Sequence, residues 1–270
     1  MKFSMSEAWR DATAMMSANR EVLLIVAGLF FFIPGAVLAL ASANLQEAMV
    51  AEPENVQPML ETFLSDWWWL MIIYFVVTMV GTLAMLALLR DHARPTVGEA
   101  LRAGLAGLLP AIGATLLLGF GLGLAAILVL GAAGVSGSPA LIALATLLVV
   151  VGFVYAYVKT SLTAPVIAID KVYNPLSVIG RSWRLTKGNS LRIFLFYLLL
   201  MVVYFVISMV LGLIGTVVLV TLGTSAALLV NSIVSGVLGA ISAVVFVAVI
   251  AAIHRQLSGP SPAAVGATFE

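Results

Sequence analysis

Residues 193–220 read IFLFYLLLMVVYFVISMVLGLIGTVVLV, and no charged side chain interrupts this run. A helix that crosses the hydrocarbon core of a bilayer needs about 20 mainly apolar residues, so the run is long enough to span a membrane. Five further runs of the chain meet the same requirement. The six predicted spans are residues 22–42, 67–89, 107–132, 140–163, 193–220 and 226–253. The sequence therefore predicts an all-α membrane protein with six transmembrane helices.

The composition supports this class and excludes several others. Of the 270 residues, 63% are hydrophobic and 9% are charged, whereas about 25% are charged in an ordinary soluble domain. The chain has no cysteine and two histidines, which excludes disulfides, thiolate metal sites and cysteine nucleophiles. No acidic or histidine partners lie at ligand spacing from either histidine. The sequence thus predicts no metal, no cofactor, no nucleic-acid ligand and no enzymatic activity.

The distribution of charge predicts the orientation of the chain. Segment 43–66 carries five acidic residues and no basic one, and all 13 Lys and Arg residues fall on the other side of the predicted spans. Basic residues concentrate in the cytoplasmic segments of membrane proteins. We therefore expect a multi-pass protein of the bacterial inner membrane with both termini in the cytoplasm. Residues 41–43 (Ala-Ser-Ala) also resemble a signal-peptidase site, but the preceding segment is long and of mixed charge, which favours a retained span.

Amphipathic segments precede the first, third and fifth spans. They read SMSEAWRDATAMMSANRE (4–21), TVGEALRAGLAG (96–107) and PLSVIGRSWRLTKGNSLR (175–192). Helices with cations on one face and apolar residues on the other lie in the membrane interface. The chain is thus predicted to form three units, each an interfacial helix followed by a transmembrane hairpin.

The starts of these segments share helix-capping patterns. Ser4 and Glu7 have the spacing of a capping box, as do Thr96 and Glu99, while the third segment opens with an Asn-Pro pair. This similarity predicts a parallel pseudo-threefold repeat about an axis along the membrane normal. The alternative is that short interfacial helices simply precede many membrane hairpins.

The most polar stretch, GRSWRLTKGN at residues 180–189, is the candidate site. At 100° per residue, Arg181, Arg184 and Lys187 share one arc of a helix, and arginine suits the binding of lipid phosphate. Ser182 and Thr186 lie instead on the apolar face, where they either pack on the fifth span or present hydroxyls to a headgroup. The candidate headgroup residues are Arg181, Ser182, Trp183, Arg184, Thr186, Lys187 and Asn189. The alternative is that the cations only set the orientation and Trp183 only anchors the helix.

The flanking residues have predicted structural roles. Pro165 is expected to end the fourth span, and Asp170 to pair with Lys171 or with an arginine of the following helix. Gly188 is expected to end that helix, with Asn189 or Ser190 capping the fifth span. The two histidines, His92 and His254, each sit beside an arginine at a helix end, where compensation of the helix dipole and anchoring are expected.

The stretch from residue 165 to 189 resembles the signature of the glycerophosphoryl diester phosphodiesterase membrane-domain family and of related bacterial inner-membrane proteins. The residues that carry the resemblance are Pro165, Asp170, Pro175, Arg181, Ser182, Trp183, Leu185, Thr186, Gly188 and Asn189. In proteins that give the family its name, such a membrane part precedes a soluble catalytic barrel. The resemblance here covers the membrane part, because residues 258–270 are expected to form a short flexible cytoplasmic tail. It therefore implies a membrane module without an assigned activity.

These observations lead to one functional expectation and one alternative. Residues 1–257 are predicted to form a single membrane domain that acts as a non-enzymatic lipid-interacting or scaffolding module, with membrane phospholipid as its partner. The alternative is a transporter or permease for a lipid-like or small amphipathic substrate. The sequence leaves open whether a second copy or another membrane protein also binds.

Overall fold

The computed structural model describes residues 2–43, 45–46, 56–90 and 96–259. These residues form helices joined by short turns. The helices are α1 (Met5–Ala18), α2 (Arg20–Ala41), α3 (Val56–Leu88), α4 (Val97–Val135), α5 (Pro139–Thr160), α6 (Thr163–Ala168), α7 (Pro175–Leu185), α8 (Ser190–Leu222) and α9 (Thr224–Ser258). His92 and residues 260–270 of the predicted tail lie outside the described residues.

Within the described residues, six stretches of helix are long and apolar enough to cross a membrane, in agreement with the predicted number. They are Arg20–Ala41, Val56–Leu88, Val97–Val135, Pro139–Ala168, Ser190–Thr221 and Ala226–Ser258. Two helices extend beyond their predicted spans. α3 begins at Val56, so the second half of the predicted acidic loop is helical. α4 runs from Val97 through Pro110 to Val135 without a break, so the segment before the third span is part of the spanning helix and not a separate one.

The fourth span ends differently from the prediction. α5 stops at Thr160, and a turn at residues 161–162 separates it from the short helix α6. Pro165 lies in the first turn of α6, where its missing N–H has no helical partner to lose. Its carbonyl accepts a hydrogen bond from the backbone N–H of Ile169 at 2.7 Å. Pro165 therefore does not break α5, which has already ended at Thr160; it lies in the first turn of α6, the short helix that completes the stretch Pro139–Ala168.

Three of the predicted helix caps are present in the described residues; the cap at α4 is a complete capping box, while at α1 Ser4 supplies its half alone. The Thr96 hydroxyl accepts from the N–H of Glu99 at 3.3 Å, and the Glu99 carboxylate accepts from the N–H of Thr96 at 2.8 Å, which completes a capping box. At α1, the Ser4 hydroxyl accepts from the N–H of Glu7 at 3.5 Å. At α7, the Asn174 side chain accepts from the N–H of Ser177 at 3.1 Å, with Pro175 in the first turn.

The buried core lies at one end of the bundle, which we call the basic end because Lys159, Arg181, Arg192 and Arg255 lie there. One continuous cluster of buried apolar side chains includes Leu83–Leu89 of α3 and Val247–Ile253 of α9, together with parts of α1, α2, α4, α6, α7 and α8. Glycines allow close contact here. A Cβ on Gly104 would lie 2.8 Å from the carbonyl oxygen of Val80, so α3 and α4 touch through backbone.

The opposite part of the bundle, which we call the distal half (residues 56–79, 115–157 and 198–239), has few buried side chains. Beyond Tyr197 no residue of α8 with a side chain is buried among those described, and Leu213 is 61% exposed. Beyond Ala114 the same holds for α4. These apolar faces are suited to contact with lipid, because hydrocarbon is as apolar as the side chains themselves.

Candidate functional site

The candidate stretch folds as helix α7 followed by a tight turn. The helix ends at Leu185 with Thr186 as its cap, and residues 186–189 form the turn. Gly188, which has φ +80°, therefore lies within the turn and not directly after the helix as predicted. α7 then lies against α5, α6 and α9, and its residues reach three other parts of the chain.

Ser182 and Thr186 bind the end of α5. Both residues are fully buried. The Ser182 hydroxyl donates to the carbonyl of Lys159 at 2.8 Å and accepts from the N–H of Leu162 at 3.2 Å. The Thr186 hydroxyl donates to the carbonyl of Ser182 at 3.0 Å and lies 3.4 Å from that of Lys159. The two hydroxyls thus satisfy backbone groups left open where α5 stops. They face the fourth span, not a headgroup and not the fifth span.

Asp170 joins α7 to the end of α9. Its Oδ2 accepts from Nε of Arg181 at 2.5 Å and lies 3.1 Å from Nε2 of His254. The predicted pairing of Asp170 with an arginine of the following helix is confirmed. Burial raises the pKa of the Asp170 carboxyl, but the hydrogen bonds and charges of His254 and Arg181 outweigh burial and hold that pKa below its usual range.

His254 is not a surface anchor. Its residue exposure is 2%, and its ring reaches Asp170 inside the protein. The two following residues of α9 bind α1 and the segment before it: Arg255 pairs with Asp11 at 2.6 Å, and the Gln256 side chain accepts from the N–H of Ser4 at 3.2 Å. Three consecutive residues at the end of α9 therefore contact separate segments.

Asn189 binds the N-terminal segment. Its side-chain oxygen accepts from the N–H of Phe3 at 2.9 Å, and Asn189 is 6% exposed. It makes no side-chain hydrogen bond to the start of α8, so the predicted cap of the fifth span is absent. Asn189 also lines the open cleft formed by Arg181, Arg184 and Lys187, so its contact with a headgroup stays a prediction. Its inward contact depends on Phe3, 186 residues away in sequence, which presents a backbone donor that no local pattern reveals.

The cations of α7 line an open cleft. Arg181, Arg184 and Lys187 surround a space of about 430 Å³, closed on one side by Leu257 and Ser258 at the end of α9. Arg184 and Lys187 are exposed. Among the described residues, neither has a carboxylate within ion-pair distance. Arg181 uses its Nε for Asp170, which leaves its two terminal NH₂ groups outside that pair. The cleft therefore presents positive charge that the described carboxylates leave unneutralised.

Lys159 also belongs to this site, although it is not among the site residues predicted from the sequence. It lies in the last turn of α5 and is 4% exposed. Its Nζ is 5.5 Å from the ring centroid of Tyr155 and 5.5 Å from that of Trp183. A lysine near the end of an apolar span can be recognised in the sequence. Its contact with the ring of Trp183, however, depends on how α7 packs against α5.

A second, smaller cavity lies between α3, α4 and α6. It has a volume of about 200 Å³ and is lined by Thr78, Thr82, Thr115 and Thr163 among apolar side chains. The first three hydroxyls donate to carbonyls of their own helices at 2.7, 2.8 and 2.9 Å. Each hydroxyl oxygen keeps lone pairs that can accept a further hydrogen bond.

Within the described part of the chain, no group of three His, Asp or Glu side chains is placed to hold a metal ion. The six helices of the described residues that are long and apolar enough to cross a membrane indicate a multi-pass helical membrane protein, with its core and a cationic cleft at one end. The chain belongs to the family described as Domain of unknown function (DUF7847), whose match covers residues 5–257. No curated protein and no solved structure matches it.

Proposed function

We propose that the protein is a non-enzymatic module of the bacterial inner membrane that binds anionic phospholipid headgroups at its basic end. The observation that carries this proposal is the cleft of about 430 Å³ lined by Arg181, Arg184 and Lys187. A phosphate of an anionic lipid is the complementary group available at a membrane surface. Basic residues near such a surface each contribute about 1 kcal/mol of attraction to anionic lipid.

The contacts divide the predicted headgroup residues into two groups. Arg184 and Lys187 are exposed and lack a described carboxylate partner, so they are the headgroup ligands in this proposal. Arg181 holds the loop of Asp170 in place and offers its remaining N–H groups to the cleft. Ser182, Thr186 and Asn189 act as structural residues that fix α7 against the bundle.

The proposal includes a placement in the membrane. The basic end faces the cytoplasm, because all 13 Lys and Arg residues fall on one side of the predicted spans. α1 and α7 lie in the interface as amphipathic helices, and the spans form three hairpins. In this placement the predicted threefold repeat keeps a separate interfacial helix in its first and third units. In the second unit the amphipathic segment is the first part of the spanning helix α4.

The resemblance to the membrane part of the glycerophosphoryl diester phosphodiesterase family is consistent with this role. Of the residues that carry it, Asp170, Arg181 and Ser182 join α7 to α9 and α5, and Arg181, Leu185 and Asn189 line the cleft. In this interpretation the shared stretch is an assembly element of a lipid-binding module.

Native mass spectrometry of the full chain in detergent tests the proposal. After removal of co-purified lipid, phosphatidylglycerol and phosphatidylcholine are added separately. We expect the wild type to prefer phosphatidylglycerol, and Arg184→Gln/Lys187→Gln to lose that preference while Arg181 remains.

A matched control removes two exposed cations elsewhere. Arg10→Gln/Arg102→Gln lowers the net charge by the same amount, and we expect it to retain the preference for phosphatidylglycerol. If the two double variants behave alike, or if the wild type shows no preference, the cleft is not a headgroup site.

The alternative function, transport of a lipid-like or small amphipathic substrate, is favoured by one observation. The cavity of about 200 Å³ between α3, α4 and α6 presents threonine oxygens inside an apolar wall. The amide side chain of Asn231 in α9 does not line this cavity but faces Gly215 of α8. A proteoliposome assay with a fluorescent phospholipid tests this function: Ala114→Leu, which fills the cavity, would abolish lipid movement in a transporter and leave a scaffold unchanged.

A further inference from the structure

The ammonium group of Lys159 lies where the described residues provide neither an opposite charge nor a hydrogen-bond acceptor. The residue is 4% exposed, and none of the described carboxylates lies within ion-pair distance of its Nζ. No hydrogen bond joins this ammonium group to another described residue. Such burial of the residue removes much of the hydration of the ammonium group. Its Nζ still keeps surface that an acceptor from outside the chain can reach, since it is not among the enclosed side-chain atoms of the described residues that lack a hydrogen-bond partner.

The two aromatic rings beside Lys159 compensate for only part of this loss. Tyr155 and Trp183 meet edge to face with centroids 5.7 Å apart, and Nζ lies 5.5 Å from each centroid. A cation–π contact is weaker than an ion pair that is also hydrogen-bonded, and it uses none of the three N–H donors. The ammonium group therefore still requires an acceptor.

The same rings add two more donors. The Tyr155 hydroxyl and the Trp183 indole N–H make no hydrogen bond to the described residues. Both side chains are open to the exterior, with 50% and 41% exposure. An aromatic pair of this kind can hold a ligand cation, but here the protein's own lysine already occupies it. The open donors thus select an anion.

The position of the site is fixed by buried hydrogen bonds. Ser182 and Thr186 bind the backbone carbonyl of Lys159 and flank Trp183 in sequence, so they hold the indole beside the lysine. Lys159 is in the last turn of α5, at the level where a spanning helix meets the headgroups. Phosphate is the anion found at that level in every phospholipid.

We propose that Lys159, Tyr155 and Trp183 form a binding site for the phosphodiester group of a membrane phospholipid. The ammonium, the phenol and the indole N–H donate to the phosphate oxygens, and the acyl chains extend along the apolar outer face of α5. This site recognises the phosphate that charged and zwitterionic phospholipids share, whereas the cleft of Arg184 and Lys187 responds to net charge. The inference rests on the proposed function only in taking phospholipid as the ligand.

The experiment is native mass spectrometry of the full chain with phosphatidylglycerol, phosphatidylcholine and diacylglycerol, which has no phosphate. We expect Lys159→Met to weaken the binding of both phospholipids about tenfold, because the loss of one charge-assisted hydrogen bond lowers the affinity by about this factor. Binding of diacylglycerol should not change. Lys159→Arg should restore most of the loss, and Tyr155→Phe with Trp183→Phe, which removes both neutral donors and keeps two rings, should weaken binding about threefold.

The matched control is Lys187→Met, which removes the same charge from the cleft. It should reduce binding of phosphatidylglycerol and leave phosphatidylcholine unchanged. An equal loss in Lys159→Met and Lys187→Met, or wild-type binding by Lys159→Met, overturns the site. Displacement of the bound lipid by millimolar inorganic phosphate overturns the assignment to a lipid and assigns the site to free phosphate.

A cooperative thermal unfolding transition is the control that each variant is folded. If Lys159→Met does not fold, the double variant Tyr155→Phe/Trp183→Phe provides the test. Failure of this site and failure of the proposed function are separable. Loss of the preference for phosphatidylglycerol in Arg184→Gln/Lys187→Gln concerns the cleft, while loss of phosphatidylcholine binding concerns Lys159.

Discussion

The basic end and the distal half of the bundle consist of the same helices, yet they are held together in different ways. At the basic end, buried apolar side chains form one cluster and polar groups link distant segments: Asp170 to His254, Ser182 to Lys159 and Asn189 to Phe3. In the distal half, most side chains of α4, α5 and α8 face outward, and their hydroxyls bond to their own helices.

The difference follows from the solvent. In a bilayer, lipid tails compete equally for apolar side chains, so hydrophobicity places a helix in the membrane but does not choose its neighbour. Neighbours are chosen where polar groups need partners and where glycines allow close packing. Both requirements are concentrated at the basic end, and we infer that this end specifies the arrangement of the helices.

The largest expected effect comes from emptying the core of the basic end. Leu86 is 0% exposed, and Leu86→Ala should lower the free energy of unfolding by about 2 kcal/mol or more because it leaves a cavity. Leu213→Ala in the distal half, at a site 61% exposed, should change it by less than about 0.5 kcal/mol. Unfolding by sodium dodecyl sulfate titration in mixed micelles measures both. Equal losses would show that the distal half is packed by protein and not by lipid.

A smaller effect is expected from the buried hydroxyl of α7. Ser182→Ala leaves the N–H of Leu162 without an acceptor and should cost about 1–3 kcal/mol. Ser208→Ala is the matched change in the distal half, where the hydroxyl donates only to Phe205 of its own helix. The same titration should find Ser208→Ala nearly neutral, and a larger loss there than at Ser182 would contradict the comparison.

Acid should destabilise the protein by protonating Asp170. We expect a smaller effect than that of Ser182→Ala, because the partner of Asp170, Arg181, is partly exposed. The pKa of Asp170 is lower in the folded protein than its ordinary value. Its contribution to stability is therefore present above the unfolded pKa and lost as the pH falls through the folded pKa. We expect stability to decrease below about pH 4, and Asp170→Asn to show less of this decrease. An unchanged acid profile in Asp170→Asn, read from thermal unfolding in detergent, would assign the acid sensitivity to other groups.

The smallest effect tests the close approach of α8 and α9 at Gly215 in the distal half. A Cβ on Gly215 would meet the side-chain oxygen of Asn231, whereas nothing lies within 4 Å of that position at Gly212. Gly215→Ala should cost about 1 kcal/mol, since the asparagine must move. Gly212→Ala should be neutral or slightly stabilising because alanine favours helix. If both are neutral in the unfolding titration, the distal half has no specific contact at this position.

Part of the site could be predicted because its partners lie close together in sequence. Asp170 and Arg181 are 11 residues apart, and the Asn-Pro start of α7 depends on local backbone chemistry. The partners of His254 and Asn189 could not be predicted, since they lie 84 and 186 residues away. An amphipathic pattern places Ser182 on the inner face of α7, but it does not show which backbone groups that face will meet.

The sequence by itself determined the class, the number of spans and the charge asymmetry. This was sufficient because a bilayer requires about 20 apolar residues per helix and favours basic residues on one side, and both are properties of the chain read in order. The tertiary structure alone decided that α5 ends at Thr160, that Ser182, Thr186 and Asn189 bind inward, and that Lys159 lies between two rings. Those outcomes depend on which backbone donors and acceptors remain open after the helices meet, and only the packed bundle determines that.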